Sequence, residues 1–301
     1  MKTSSDEGLF RKKGAAGTRK PGWLKVRLPS HGEYFRVSDI LKSRRLHTIC
    51  QSARCPNIGY CWERKTATFL ILGDTCTRAC GFCAVAKGIP EAPDAGEPER
   101  VAEAVAALGL RYAVITSVTR DDLPDGGASH FARTIRAIQD ANPGAKVEAL
   151  VPDFGGDAEA LGVVLEAGPD VLNHNLETTE SMYPKIRRPR DSYGRSLGIL
   201  TAAKQMGART KSGLMLGLGE REDDLRRALA DLRRAGCDLL TLGQYLRPAE
   251  ANPPVERYYS PEEFAAIRET ALEMGFLDVV SGPLVRSSFE AERLYRAAAE
   301  R

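Results

Sequence analysis

Long apolar runs are missing from this chain of 301 residues. A membrane helix needs about 20 consecutive apolar residues. The longest runs here, around Phe69–Leu72 and Val163–Leu165, have the length of a strand or a short core helix. Strong charge imbalance is missing too: 43 Lys and Arg against 40 Asp and Glu leave +3. That surplus is too small to argue for nucleic acid or a membrane surface. The first residues are basic (Lys2, Arg11, Lys12, Lys13, Arg19, Lys20) but lack the apolar core of a secretory signal, and Asp6 and Glu7 fit a mitochondrial leader poorly. They read as a solvated, disordered tail, which makes the cytoplasm the expected compartment. Its reducing poise disfavours structural disulfides, and a chain of this length needs none for stability. No G-x-G-x-x-G follows the first strand, which weakens a dinucleotide-binding reading. Nothing resembles a coiled coil, so a monomer is expected.

Cysteine, by contrast, is crowded. Six of the seven cysteines lie between residues 50 and 83. Cys50, Cys55 and Cys61 follow C-x4-C-x5-C; Cys76, Cys80 and Cys83 follow C-x3-C-x2-C. Crowded thiols in a cytosolic chain point to metal ahead of disulfides. Structural zinc wants four ligands, and neither triplet supplies a fourth thiol, although His47 near the first triplet leaves zinc open there. Iron–sulfur clusters are also held by thiolates. On three thiolates a cubane cluster keeps one iron for a small molecule or an unusual side chain. Cys237 stands apart and reads as a buried bystander.

Further along, helical and strand patterns alternate. Val101, Val105 and Leu108, then Phe131, Ile135 and Ile138, then Leu225, Leu229 and Leu232 keep helical spacing. Between the helices come apolar runs at 67–73, 113–116, 147–151, 171–172, 214–218 and 239–242, with a weaker one at 277–281. The repeat is close to the ~30 residues of a βαβ unit. Gly109 and Gly207 follow helices, and Pro261 with Glu262 and Glu263 opens another. The pattern predicts an α/β fold with a parallel sheet covered by helices. Six strands suit a partial (β/α)6 barrel; a doubly wound open sheet is the alternative. A barrel places chemistry beyond the C-terminal strand ends. There fall Asp74 and the second triplet, 119–122, Pro152-Asp153, 173–177 and Gly243-Gln244. His174 reads first as a satisfied polar residue. The run Arg187-Arg188-Pro189-Arg190 reads as a solvated surface or as a partner for a ligand carboxylate. Gly213, Gly217 and Gly219 frame the fifth strand, for tight turns or close approach to backbone.

The segment Cys76-Thr-Arg-Ala-Cys80-Gly-Phe82-Cys83 resembles the signature of the radical S-adenosylmethionine (SAM) superfamily, with Phe82 at its aromatic position. The resemblance implies a [4Fe-4S] cluster on Cys76, Cys80 and Cys83 whose open iron is chelated by SAM. It implies reductive cleavage of SAM to a 5′-deoxyadenosyl radical, and a radical SAM-type barrel with both terminal extensions closing its mouth. Phe82, Asn175, Glu177 and Arg188 are the expected SAM contacts, since a carboxylate at a strand end can accept both ribose hydroxyls. The first triplet, Cys50-Gln-Ser-Ala-Arg-Cys55-Pro-Asn57-Ile-Gly-Tyr60-Cys61-Trp62, resembles the auxiliary-cluster motif of lipoyl synthases. So do segments at 20–25, 66–69, 147–154, 172–178, 210–220, 241–246 and 282–289, covering roughly residues 20–290.

This resemblance implies insertion of two sulfur atoms, at C6 and C8 of an octanoyl chain on a lysine of a lipoyl carrier domain. The sulfur would come from an auxiliary [4Fe-4S] cluster on Cys50, Cys55 and Cys61, with Ser288 as its fourth ligand. A serine oxygen binds iron less well than thiolate, which suits a cluster dismantled in each turnover. Implied partners are the glycine-cleavage H protein or a 2-oxoacid dehydrogenase acyltransferase, a reduced flavodoxin- or ferredoxin-type donor and an iron–sulfur cluster carrier; no nucleic acid or membrane is expected. The implied organisation is a tail (1–19), an extension bearing the auxiliary cysteines (20–65), the barrel core (66–285) and a C-terminal segment supplying the serine (286–301). Three positions depart from the resemblance: Tyr60 where many members have Glu, Phe289 where the motif has Tyr, and Asn252-Pro253-Pro254-Val255 in place of His-Leu-Pro-Val. The competing readings are another two-cluster radical SAM enzyme that inserts sulfur, and a non-enzymatic iron–sulfur or zinc carrier.

Overall fold

A computed structural model describes residues 20–26 and 32–299; the basic tail lies outside the described residues. A single 3-10 turn, Gly22–Leu24, precedes α1 (Gly32–Ser43) and a two-residue strand β1 (His47–Thr48). Two short helices follow, α2 (Ile49–Ser52) and α3 (Ile58–Glu63). β2 (Thr68–Ile71) begins the main sheet, and β3 (Thr75–Cys76) with β4 (Ala86–Lys87) brackets the second cysteine loop. Helices and strands then alternate: α4 (Glu97–Leu108), β5 (Tyr112–Ser117), α5 (Ala128–Ala141), β6 (Lys146–Leu150), α6 (Ala158–Glu166) and β7 (Val171–Asn173). After these come α7 (Asp191–Gln205), β8 (Thr210–Leu216), α8 (Glu222–Arg234), β9 (Leu239–Gln244), α9 (Pro261–Glu273), β10 (Asp278–Gly282) and α10 (Ala291–Ala299).

The sheet runs β1-β2-β5-β6-β7-β8-β9-β10, parallel from β2 onward, with β1 antiparallel at one edge. It does not close on itself, so the barrel is partial, as expected. The weak run at 277–281 becomes a seventh parallel strand, β10, in register with β9. β8 begins four residues before the apolar run that marks it in sequence. Its first three residues, Thr210, Lys211 and Ser212, are polar yet fully buried, because partners inside the protein take up their hydrogen bonds. Strands buried on both faces explain the near-continuous apolar runs. Local signals delimit the helices. Gly109 takes a left-handed conformation after α4, and Ser260 with Glu263 forms a capping box on α9.

The two faces of β5 show which way the barrel points. Ala113 and Ile115 join the core beneath the surrounding helices. Tyr112 and Val114 pack instead on Ala291 and Tyr295 of α10. Leu294 and Ala298 of the same helix meet Val171, Leu239 and Val280 near the N-terminal ends of β7, β9 and β10. α10 thus fills the lower interior of the open barrel. The segment just before it runs across the interior higher up. Gly243 makes room for it, since a Cβ there would run into the carbonyl oxygen of Val285. Gly213 does the same: a Cβ would lie 2.8 Å from Asn175 Oδ1 and 3.2 Å from Ser287 Oγ. Close approach is therefore the role of Gly213; Gly217 and Gly219 adopt positive φ (107° and 110°) in the turn that follows, and at Gly217 a Cβ would also run into Gln244 Nε2 and the Arg257 carbonyl.

Candidate active site

The C-terminal strand ends open onto a cavity of about 550 Å³. Three segments far apart in sequence line it: Cys50, Cys55 and Cys61; Cys76, Cys80 and Cys83; and Arg286–Phe289, which includes Ser288. All seven cysteines are free thiols, and Cys237 is buried away from the cavity. The first triplet is shaped by short helices. Thr48 caps α2, its hydroxyl accepting from the Gln51 N–H. Arg54 turns the chain with a left-handed φ of 52° between Cys50 and Cys55. Trp62, fully buried, anchors α3 against Tyr34 with ring centroids 5.1 Å apart. The second triplet sits on the loop after β2. The sulfur of Cys76 accepts backbone N–H groups of Arg78 (3.4 Å) and Thr119 (3.3 Å). Gly81 lets this loop press on the chain at Ile186, to whose carbonyl its N–H donates at 2.6 Å.

Burial raises the thiol pKa values from 9.0: Cys50 and Cys83 to about 11, Cys61 to about 12, and Cys55 and Cys80 also upward. Within each triplet the sulfurs also raise one another. A raised thiol pKa favours the protonated folded state, so its stability contribution is full below pH 9 and is lost toward pH 11 to 12. The metal-free protein is therefore expected to lose thermal stability between pH 9 and 11. Replacing Cys50, Cys61 and Cys83 by Ala should flatten that slope in a melting series; an unchanged slope would assign it to other groups.

Beside the second triplet lies an ion network. Arg78, between Cys76 and Cys80, forms a bidentate pair with Asp121 (2.8 and 2.7 Å) and contacts Asp153 at 2.7 Å. Burial disfavours its charge, but the two carboxylates outweigh burial and raise its pKa. Asp153 is itself buried, yet Arg78 holds its pKa below the ordinary value. Its Oδ2 has no hydrogen bond, with Arg188 at 3.9 Å and Arg195 at 3.7 Å. His174 donates from Nδ1 to the Val151 carbonyl at 2.9 Å, since a carbonyl can only accept. Burial lowers its pKa to about 4, so the ring is neutral. Its Nε2, buried and without a partner, is left as an acceptor in the wall of the cavity. Glu177 adopts a left-handed φ of 71°, an uncommon conformation that concentrates at functional sites. Burial raises its pKa against the opposing effect of Arg188.

The expected site residues come together, with adjustments. Phe82, Asn175, Glu177 and Arg188 all line the cavity. Of the basic run, Arg188 turns inward while Arg187 and Arg190 are exposed. Asn175 is already engaged: its Oδ1 accepts from Ser287 Oγ at 2.9 Å, and its side chain also bonds Glu177. His174 is only half satisfied. His47 does not reach the first triplet; it is exposed, outside the cavity lining and 3.9 Å from Asp74. Sequence reasoning missed Arg78, and it placed Ser287 and Gly243 in their segments without the roles they take in the fold. Arg78 stands inside the cysteine signature as an unspecified position, and the tie between Ser287 and Asn175 joins residues 112 apart. The departures Tyr60 and Phe289 turn out to be in contact, with ring centroids 5.7 Å apart.

Among the described residues, no three His, Cys, Asp or Glu side chains are arranged to hold one metal ion. A [4Fe-4S] cluster makes no such demand, because its thiolates bind separate irons rather than converging on one point. Comparison with known proteins gives the family. A family model described as the radical SAM superfamily matches residues 70–232. One described as the N-terminal domain of lipoyl synthase of the radical SAM family matches residues 2–55. The lipoyl synthase of Rubrobacter xylanophilus is 56% identical over 274 residues, 90% of this chain and 85% of that one. That of Thermus thermophilus is 54% identical over 285 residues, 94% and 88% of the two chains. The chain belongs to the lipoyl synthase family. It is a sulfur-inserting radical SAM enzyme whose cofactors are SAM and two [4Fe-4S] clusters. The two thiol triplets and Ser288 fit lipoyl synthase cofactors in number and donor type. The crystal structure of methylornithine synthase shares the fold, with a TM-score of 0.54 at 15% identity, over 90% of this chain and 77% of that one. No described helix is long and apolar enough to cross a membrane.

Proposed function

We propose that Cys76, Cys80 and Cys83 hold the cluster at which SAM is cleaved. Cys50, Cys55, Cys61 and Ser288 hold the auxiliary cluster that provides sulfur for an octanoyl chain on a carrier lysine. The observation that carries this assignment is that both triplets and Ser288 line one cavity. A single alkyl chain must meet both sites, which two separate cavities would not allow. When bound, SAM and the clusters supply the hydrogen-abstracting radical and the sulfur atoms. The protein's own groups bind and orient. Glu177 accepts the ribose hydroxyls, Phe82 packs beside the ligand, and Arg188 faces its carboxylate. His174 Nε2 offers an acceptor for a ligand N–H, and the Arg78–Asp153–Asp121 network keeps the cysteine loop in place.

The rim supports a charged docking partner. Lys20, Arg54, Lys87 and Arg247 are exposed and line the cavity, whereas its carboxylates, Asp153 and Glu177, lie deeper. That charge suits an acidic carrier face, as on a glycine-cleavage H protein or a 2-oxoacid dehydrogenase acyltransferase, and an acidic flavodoxin- or ferredoxin-type donor. An iron–sulfur cluster carrier would rebuild the auxiliary site. Seven free thiols fit the reducing cytoplasm.

The test is iron and acid-labile sulfide per chain after anaerobic reconstitution, with and without Cys76, Cys80 and Cys83. About eight irons should fall to about four, the content of two cubane clusters and then one. The wild type should convert an octanoylated carrier to the lipoylated form. Four irons falling to none, or zinc in place of iron, would remove the first triplet from this scheme.

A further inference from the structure

Tyr60 and Phe289 come from opposite ends of the chain and each adjoins an assigned auxiliary ligand: Tyr60 precedes Cys61, and Phe289 follows Ser288. Their rings lie 5.7 Å apart at 33°. Arg64 covers the Tyr60 ring, its guanidinium carbon 3.7 Å from the centroid, and donates to the Tyr60 carbonyl at 3.2 Å. Cation, ring and ring thus form a three-part stack joining α3 to the C-terminal segment.

The other ties on that segment stop short of Ser288. Asn57 Nδ2 donates to the Leu284 carbonyl at 2.6 Å. Val285 rests against Gly243. Ser287 Oγ donates to Asn175 Oδ1. The Ser288 side chain makes no hydrogen bond to any described residue. Its direction is therefore set by what holds residues 287 and 289. Barrel contacts hold the first; the second packs on the interior cluster around Val285 and Leu294 and is tied to the first-triplet side by the ring of Tyr60.

We propose that the Arg64–Tyr60–Phe289 stack is a latch that seats the C-terminal segment and aims the Ser288 hydroxyl at the auxiliary site. Tyr60 and Phe289 are positioning residues; neither is asked to touch the reacting atoms. The latch rests on the assignment of Ser288 made above. A stack requires rings and not hydroxyls, so Tyr60→Phe keeps it and Tyr60→Ala removes it. Losing an aromatic pair of this kind raises the unseated population roughly three- to tenfold.

The experiment uses full-length protein carrying Tyr60→Ala, Phe289→Ala, both together, or Tyr60→Phe. In the cluster-free state, trypsin cleavage after Arg286 is followed by mass spectrometry, because that bond lies inside the barrel until the segment leaves. Each Ala variant should be cleaved about three- to tenfold faster, the double variant no faster than a single one, and Tyr60→Phe like wild type. In the reconstituted enzyme the same variants should lose auxiliary iron to a chelator faster and shift the Mössbauer signature of that cluster. Formation of 5′-deoxyadenosine by Tyr60→Ala and Tyr60→Phe should be unchanged, which also shows that these variants fold. Wild-type cleavage rates in the Ala variants, additive effects in the double variant, or a Tyr60→Phe protein as labile as Tyr60→Ala would each overturn the latch. A wild type that cleaves SAM but inserts no sulfur would overturn the Ser288 assignment, while the trypsin series would still decide the latch.

Discussion

Cys80→Ala abolishes 5′-deoxyadenosine formation, whereas Cys55→Ala preserves it and abolishes sulfur insertion: this is the sharpest expected separation between the two triplets. Cys76 acts on Cys80, and both act on Cys83, just as Cys50 and Cys55 act on Cys61. Removing Cys80 leaves two thiols where a SAM-binding cluster needs three. Removing Cys55 spoils only the auxiliary site, so SAM still meets an intact cluster. Ser288→Ala should follow Cys55→Ala, because Ser288 belongs to the segment that Asn57 ties to the first-triplet loop. The readouts are 5′-deoxyadenosine by chromatography and the intact mass of an octanoylated carrier. Multiple turnovers of lipoyl formation by Cys55→Ala would end the sacrificial role given to that cluster. No 5′-deoxyadenosine from the wild type under strong reductant would leave only an iron–sulfur carrier. Sulfur placed on RNA and not on a carrier would favour a different two-cluster enzyme.

The second large effect lies below the cavity. Lys211 on β8 and Glu148 on β6 form an ion pair of 2.8 and 2.9 Å with neither side chain exposed. Glu148 also accepts from Tyr112 Oη and Asn173 Nδ2, each at 2.8 Å. Four strands are thereby joined through one carboxylate in the barrel interior. Lys211→Met leaves Glu148 buried without its cation, and breaking a buried pair from one side costs about 3–5 kcal/mol. At a few degrees per kcal/mol for a large domain, the melting temperature should fall by roughly 10 °C. Lys211→Met combined with Glu148→Leu should recover much of the loss, since no charge is then stranded. Neither residue lines the cavity, so SAM cleavage at low temperature should survive. A single variant that melts like wild type, or a double variant worse than the sum of both, would contradict this account of the interior.

How much was legible beforehand differs by residue. The thiols announce themselves because cluster ligands come from short local spacings, and so do the strands buried on both faces. Lys211 hid the start of β8, since a lysine in a strand pattern signals exposure unless its partner is known, and Glu148 lies 63 residues away. His174 reads as a satisfied polar residue and is half that: the Val151 carbonyl takes one nitrogen, and only the fold shows the other buried without a partner in the cavity wall. Tyr60 and Phe289 read as two unrelated departures from a pattern, yet they touch.

Resemblance to lipoyl synthases marked out Ser288; the sequence by itself determined the architecture and the two triplets of thiols, with alternating elements that make a parallel sheet and loops at one end. These depend on local spacing and periodicity, which need no knowledge of what is distant. Tertiary structure alone decided that the six clustered thiols and Ser288 share one cavity, that Gly243 makes room for the C-terminal segment, and that α10 fills the interior beneath it. Such facts come from contacts between segments separated by tens to hundreds of residues. Their partners are chosen by packing inside the closed interior, and no local pattern encodes that choice.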